Sequence, residues 1–156
     1  MKKVMLAVLT LLVIVPVLSA VTGDVMMPIR QFIDGFNTGD TKSGFAAYAT
    51  GDIGITDEFA PFHWSGLNAA HAWADGYDNH AKATGVTDGL VKYGEPTRTE
   101  TEGNLAYVVI PTTYLYKEHG TPMTESGQLT FVLRSQDGAW KISSWTWTGE
   151  KPHSAK

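Results

Sequence analysis

Cysteine is absent from the 156-residue sequence, so disulfide bonds and thiolate metal ligands are excluded. The five histidines are scattered and form no His-Glu-x-x-His pair, and there is neither a Gly-x-Ser-x-Gly nucleophile motif nor a Gly-rich phosphate loop. Basic residues are also scarce, with 12 Lys and Arg against 16 Asp and Glu and no basic run. We therefore expect no bound metal, no cofactor and no nucleic-acid partner.

The N-terminal segment has the composition of a secretory signal peptide. Two lysines precede an apolar run from Val4 to Val15, and Pro16 separates this run from small residues that end at Ala20. A retained membrane anchor is the alternative, because the stretch up to Val21 approaches the length that spans a bilayer, but no basic stop-transfer cluster follows it. We expect a signal peptide at residues 1–20, a periplasmic or secreted protein, and no membrane contact after cleavage.

Helical periodicity dominates the first half of the remaining chain. Ile29, Phe32 and Phe36 share one face of a first helix that is predicted to end at Gly39, and Asp40 is predicted to cap a short second helix. A third helix is predicted to open at Ser65 and Gly66. Its apolar face would carry Leu67, Ala70, Trp73, Ala74, Tyr77 and Ala81.

After Gly85 the pattern changes to long β-type stretches, rich in Val, Ile, Thr and aromatic residues and separated by Gly-containing turns. Pro111 is expected to mark a bulge or bend, because proline cannot donate to a strand ladder. Helices followed by an antiparallel meander predict an α+β fold in which three helices pack on one face of a strongly bent sheet. The concave side of such a sheet offers space for a ligand.

One domain is predicted, because a chain of this length buries roughly two thirds of its unfolded surface in a single core. We place the domain at residues 21–149 and a flexible polar tail at residues 150–156.

Four segments carry a resemblance to a known family: FIDGFNTGD (Phe32 to Asp40), GDIGITDEF (Gly51 to Phe59), WSG (Trp64 to Gly66) and DGAWKISSWTW (Asp137 to Trp147). In these segments the chain resembles the NTF2-like (cystatin-like) superfamily, and in particular its SnoaL-like and ketosteroid-isomerase-like members. The resemblance implies a cone-shaped α+β barrel with an internal pocket, often assembled as a homodimer through the sheet. It implies little about activity, because this fold hosts many unrelated functions.

By this resemblance, Asp57 takes the place of the general base of the steroid isomerases. Burial in an apolar cone raises the pKa of a carboxyl and makes it a better proton acceptor near neutral pH. The same resemblance puts Phe32 and Phe131 where the isomerases carry two hydrogen-bond donors, and Trp147 at a small-residue position near the mouth. Because the loss of one such donor costs about 3 kcal/mol of transition-state stabilisation, steroid isomerisation is not expected.

Asp57 and His63 are the candidate catalytic residues, and together they would form an acid–base couple. The alternatives are a strand-end carboxylate facing water and a loop histidine satisfied by the backbone. Glu58 is expected to face solvent, because successive strand residues point in opposite directions. The candidate pocket lining is aromatic and comprises Phe32, Phe59, Trp64, Trp73, Tyr77, Tyr114, Phe131, Trp145 and Trp147.

Three functions therefore remain open. The first is an exported domain that binds a small, mostly apolar molecule in the cone. The second is an enzyme of lyase or isomerase type that uses Asp57 as general base. The third is a non-catalytic, dimeric partner-binding module, which predicts a cone filled by its own side chains.

Overall fold

The structure is a computed structural model that describes residues 23–155, so the predicted signal peptide lies outside the described residues. The helices are α1 (Met26–Thr38), α2 (Thr41–Ala46) and α3 (Ala69–Thr84). The strands are β1 (Ile53–Thr56), β2 (His63–Gly66), β3 (Val86–Tyr93), β4 (Arg98–Glu102), β5 (Leu105–Glu118), β6 (Thr121–Gln136), β7 (Ala139–Gly149) and β8 (His153–Ser154). Between residues 23 and 155, no helix is long and apolar enough to cross a bilayer.

The first two helices form where their sequence predicts them. Ile29 and Phe32 of α1 are buried against the sheet. Gly39 ends α1 in the left-handed conformation at a φ of 77°, which glycine adopts without steric cost. Asp40 then caps α2, because its side chain accepts a hydrogen bond of 3.1 Å from the backbone N–H of Ser43.

The start of the third helix is a correction. Ser65 and Gly66 belong to β2, which pairs with β1 as an antiparallel hairpin, and α3 begins only at Ala69. Leu67 is 79% exposed and does not belong to the buried face of α3. A strand of four residues at the edge of a sheet is too short to display a clear alternating pattern, which is why β2 escapes sequence analysis.

The strands form one strongly curved, unclosed sheet in the order β2-β1-β7-β6-β5-β3, with β4 paired to β5 and β8 paired to β6. The α+β cone is therefore confirmed, but β1 runs parallel to β7, so the sheet is mixed rather than antiparallel throughout. The strands β4 and β3 pair with successive parts of β5, and Pro111 lies between the two pairings. Pro111, which has no N–H to donate, therefore lies at the point where β5 stops pairing with β4 and begins to pair with β3.

Part of the predicted flexible tail is ordered into the sheet. His153 and Ser154 form β8 and pair with Thr124 and Met123 of β6. The expectation of a frayed tail is therefore wrong for these two residues, which extend the sheet at the end of the chain.

The core lies between the inner face of the sheet and the helices α1 and α3. Asn37 attaches α1 to the outer strand β3: its side-chain amide donates to the carbonyl of Val91 at 2.8 Å and accepts from the N–H of Val91 at 2.9 Å. These two hydrogen bonds fasten the C-terminal part of α1 to the edge strand β3.

Candidate functional site

A cavity of about 650 Å³ occupies the concave side of the sheet, within the range of small-molecule sites. Its walls come from α1, α3 and the strands β3, β5, β6 and β7. The expectation of a cone filled by its own side chains is therefore wrong. The predicted residues that line this cavity are Asp57, Phe32, Phe59, Trp73, Tyr77, Tyr114, Trp145 and Trp147.

Three of the predicted site residues lie elsewhere. Phe131 is completely buried in the core behind the cavity wall, and Trp64 packs against the far side of Phe59 with ring centroids 5.0 Å apart. His63 lies on the edge strand β2, is exposed, and has its Nδ1 3.3 Å from the hydroxyl of Thr56. The structure therefore does not bring His63 to Asp57, because alternation along β2 turns His63 outward while Trp64 turns inward.

Asp57 enters the cavity because it continues the inward-facing side of β1. Ile53 and Ile55 of that strand are buried, and the third residue in this period-two series is Asp57. One of its carboxylate oxygens accepts from the indole N–H of Trp73 at 2.8 Å, and the other accepts from the backbone N–H of Glu58 at 2.8 Å.

Burial is the main influence on Asp57. It raises the pKa of the Asp57 carboxyl, while the hydrogen bonds from Trp73 and from the backbone oppose this change only in part. A histidine does act on this pKa, but it is His80 of α3, which is stacked on Phe59 at 5.2 Å and lowers the pKa slightly by its charge. The result is a carboxyl that accepts protons more readily than one in water.

The carboxylate of Glu58 contributes to the cavity wall, although strand alternation predicts that it faces solvent. Backbone pairing continues as far as Asp57, whose N–H donates to the carbonyl of Phe62 at 3.1 Å, and the chain bends at Glu58, so strand alternation no longer applies to Glu58. The residue as a whole is exposed, yet its carboxylate accepts from the indole N–H of Trp147 at 3.1 Å and lines the cavity. Loss of water around this carboxyl, together with the neighbouring carboxylate of Glu125, raises the pKa of Glu58 to about 8.

Two glycines explain the position of Trp147. Gly127 of β6 and Gly149 of β7 lie opposite each other in the sheet. A Cβ at Gly127 would lie 2.8 Å from the Trp147 ring, and one at Gly149 would lie 2.5 Å from it. The absence of both Cβ atoms therefore lets the indole lie flat over the sheet and direct its N–H at Glu58.

Glu125 is the buried acidic residue of the site. Its side chain is only 3% exposed, and one of its oxygens accepts from the hydroxyl of Tyr116 at 2.7 Å. Its other oxygen, Oε2, has no hydrogen-bond donor among the described residues. The Glu125 carboxylate contributes to the raised pKa of Glu58, so the two glutamates form a pair of neighbouring carboxyls at the cavity wall.

A tyrosine pair forms the next part of the wall. The hydroxyls of Tyr77 and Tyr114 are 2.5 Å apart, and burial raises the pKa of both groups, so both stay protonated at neutral pH. Gly89, within a bulge of β3, makes room for them, because a Cβ there would lie 2.8 Å from each hydroxyl oxygen.

Sequence analysis missed Glu125, Glu58, Tyr116 and His80. A signal for Glu125 does exist, because Leu129, Phe131 and Leu133 are buried on β6 and Glu125 has the same parity along the strand. No comparable signal exists for His80, whose position beside Phe59 depends on the packing of α3. The described residues contain no group of three or more His, Asp or Glu placed to hold a metal ion.

Phe32 stands at the centre of the aromatic cluster. Its ring is edge-on to Tyr48 at 5.5 Å and to Phe131 at 6.2 Å, and it lies 5.6 Å from Trp145. Phe32 therefore contributes packing and no hydrogen-bond donor to the cavity wall.

Comparison with known proteins supports the architecture. No protein-family model matches the sequence, and no curated protein matches it. Among solved structures, a hexachlorocyclohexane dehydrochlorinase (LinA type 2) superposes with a TM-score of 0.69 at 13% identity, covering 83% of this chain and 84% of its own. A ketosteroid isomerase-like protein from Erwinia carotovora atroseptica superposes with a TM-score of 0.63 at 20% identity, covering 82% and 95%.

A third similar structure is an NTF2-like protein of unknown function from Shewanella oneidensis, with a TM-score of 0.57 at 16% identity over 79% of this chain and 94% of its own. The protein is therefore an α+β cone with an open internal cavity, and its fold is the NTF2-like fold, as the sequence resemblance implies.

Proposed function

We propose that this protein binds a small, mostly apolar organic molecule in the cone cavity, with Asp57 as the buried polar anchor. The observation that carries this proposal is a carboxylate directed into an otherwise aromatic cavity of about 650 Å³. Flat aromatic walls bury apolar surface, and one or a few polar groups orient the ligand. The structural similarity to a hexachlorocyclohexane dehydrochlorinase and to a ketosteroid isomerase-like protein supports the same class of ligand, because both names refer to small apolar substrates.

A fragment library of aromatic and alicyclic compounds tests this proposal. We expect several fragments to raise the melting temperature and to appear in the cavity after crystal soaking. Fragments with a hydrogen-bond donor should lose about tenfold in affinity in Asp57→Asn, which keeps the acceptor for Trp73 and removes the charge. Asp52→Asn, at an exposed aspartate before β1, is the matched control. A library without a single binder in the cavity would refute the proposal.

A second candidate function is proton abstraction from a carbon acid by Asp57, as in a lyase or isomerase. The observation that favours it is the pKa of the Asp57 carboxyl, which burial raises above its ordinary value. The probe 5-nitrobenzisoxazole tests it directly: a base removes the C–H proton, the ring N–O bond breaks, and a coloured phenolate forms. We expect turnover that rises as Asp57 ionises and disappears in Asp57→Asn but not in Asp52→Asn. Equal rates for all three proteins would exclude this candidate.

We also propose that the chain is exported and assembles as a homodimer through its sheet. The N-terminal pattern of residues 1–20 supports export, and the exposed Leu105 and Tyr107 on β5 support a contact through the sheet. Intact-mass measurement of the protein recovered outside the cytoplasm should give a chain that begins at Val21. Sedimentation velocity should give twice the monomer mass, and a monomer at micromolar concentration would contradict the dimer.

A further inference from the structure

Charge is distributed unevenly around the cavity. Six of the residues that line it are acidic: Asp57, Glu58, Asp75, Asp78, Asp88 and Glu125. Of these, Asp88 is neutralised by Lys117, whose Nζ lies 2.8 Å from its carboxylate. Among the described residues that line the cavity, none is lysine or arginine. Apart from His71 and His80, the described walls therefore carry acidic side chains without a basic counterpart, which favours positive charge in the cavity.

Oε2 of Glu125, which has no hydrogen-bond donor among the described residues, marks the position in the cavity where a positively charged group would be most favourable. A buried carboxylate oxygen without a donor is energetically costly. This oxygen belongs to a side chain that lines the cavity and is only 3% exposed. The carboxyl of Glu58, which follows β1, is a neighbour of the Glu125 carboxyl on β6. Two acceptors that converge in this way are satisfied by one shared proton or by an external donor that carries positive charge.

Aromatic rings lie beside the same position. The rings of Tyr114 and Tyr116 are stacked with centroids 4.7 Å apart, and the Tyr116 hydroxyl is bound to Glu125. Trp147 donates its indole N–H to Glu58, so its ring lies next to the same carboxyl. Aromatic rings beside carboxylates stabilise organic cations, because the ring face attracts positive charge. A metal ion prefers a compact set of oxygen or nitrogen ligands, which the described residues do not provide.

We propose that the ligand of this cavity is a small organic cation, in which a protonated amine or quaternary ammonium group is attached to a flat, apolar body. The cationic group lies between Glu58, Glu125 and the rings beside them, and the apolar body packs on the aromatic walls. This inference rests on the proposed function, because it names the class of molecule that the cavity binds.

Binding of a cation is coupled to the proton on the carboxyl pair. The charged or titratable groups that face Glu58 are Glu125 on β6, Tyr116 on β5 and the adjacent Asp57, while His80 of α3 faces Asp57. A positive charge at this position favours the ionised form of Glu58. Because the pKa of Glu58 is about 8 without ligand, a cation releases protons when it binds near neutral pH.

Three probes of similar shape and different charge test the inference on the mature chain. They are tyramine, which is a cation, 4-propylphenol, which is its neutral isostere, and 4-hydroxyphenylacetate, which is an anion. Calorimetry at pH 7.5 and low salt should show tyramine binding about tenfold or more tighter than 4-propylphenol, with the anion weakest. In buffers of different ionisation enthalpy, tyramine should release a fraction of a proton and 4-propylphenol none.

Variants of the carboxyl pair separate a cation site from a merely apolar one. Glu58→Gln and Glu125→Gln should each weaken tyramine about fivefold or more and leave 4-propylphenol within about twofold. Proton release should disappear in Glu58→Gln. The exposed Glu102→Gln on β4 is the control and should match the parent protein. Because Glu125 is buried, the exposed Glu58 provides the decisive variant if Glu125→Gln does not fold.

The outcomes distinguish this inference from the proposed function. Tighter binding of 4-propylphenol or of the anion than of tyramine overturns the inference and leaves a cavity for apolar molecules in place. Equal loss of tyramine and 4-propylphenol affinity in Glu58→Gln also overturns the inference, because the negative charge of Glu58 would then not account for the binding of tyramine. If none of the three probes binds, the cation site is refuted as well, and the fragment library decides the proposed function by itself.

Discussion

Replacement of Glu58 by glutamine tests the carboxyl pair without any ligand. In the folded protein the pKa of Glu58 is raised from 4.5 to about 8, whereas in the unfolded chain it returns to its ordinary value. Between these two values the folded state therefore holds a proton that the unfolded state has lost. Stability from this group is fully present below pH 4.5 and decreases as the pH rises towards 8, because unfolding then releases the proton.

The size of the effect is smaller than the pKa alone implies. Each pKa unit corresponds to about 1.4 kcal/mol, which gives about 5 kcal/mol for a group completely removed from solvent. Glu58 is exposed as a residue and its carboxyl loses only part of its water, so remaining solvent screens the interaction and we expect about 1 kcal/mol. For a domain of this size that corresponds to a shift of about 3–5 °C in melting temperature.

The measurement is urea unfolding of the parent protein and of Glu58→Gln at pH 5.0, 6.5 and 8.0. We expect the parent protein to lose about 1 kcal/mol relative to the variant between pH 5 and pH 8. Glu102→Gln, at an exposed glutamate of β4, should give a constant difference from the parent. Parallel curves for the parent protein and Glu58→Gln would refute the raised pKa of Glu58.

Three further substitutions test the assignment of individual residues. Phe131→Ala should lower the free energy of unfolding by about 3–5 kcal/mol, because the ring is fully buried in the core; Phe62→Ala, at a ring that is 58% exposed, should have little effect. Gly127→Ala should destabilise by about 2 kcal/mol or more in thermal unfolding, since its Cβ would lie 2.5 Å from the carbonyl oxygen of Thr148, and an unchanged melting temperature would contradict this packing. His63→Ala should leave fragment binding within about twofold, because His63 lies outside the cavity; a tenfold loss would return His63 to the site.

Local sequence patterns were sufficient to predict those helices that have a regular apolar period and a clear terminating residue. The apolar stripe of α1, the left-handed Gly39 and the capping Asp40 are all encoded within a few neighbouring residues, and the structure contains each of them. The position of Asp57 also follows from a local rule, because it extends the buried series of Ile53 and Ile55 on β1.

The remaining parts of the site depend on contacts between distant segments. Glu58 and Glu125 are 67 positions apart in the printed sequence and meet only because β1 pairs with β7 and β7 pairs with β6. The error at His63 has the same origin, since the edge strand β2 was not recognised and its outward face could not be assigned.

The sequence by itself determined the fold class and the helical face of α1, because both depend on spacing along the chain, whereas for Asp57 it left a carboxylate facing water as an alternative. The tertiary structure alone decided that the cone stays hollow and that Glu58, Glu125 and Trp147 converge on one side of it. The physical reason is that sheet curvature and strand order set which distant side chains become neighbours, and burial by those neighbours then sets their protonation.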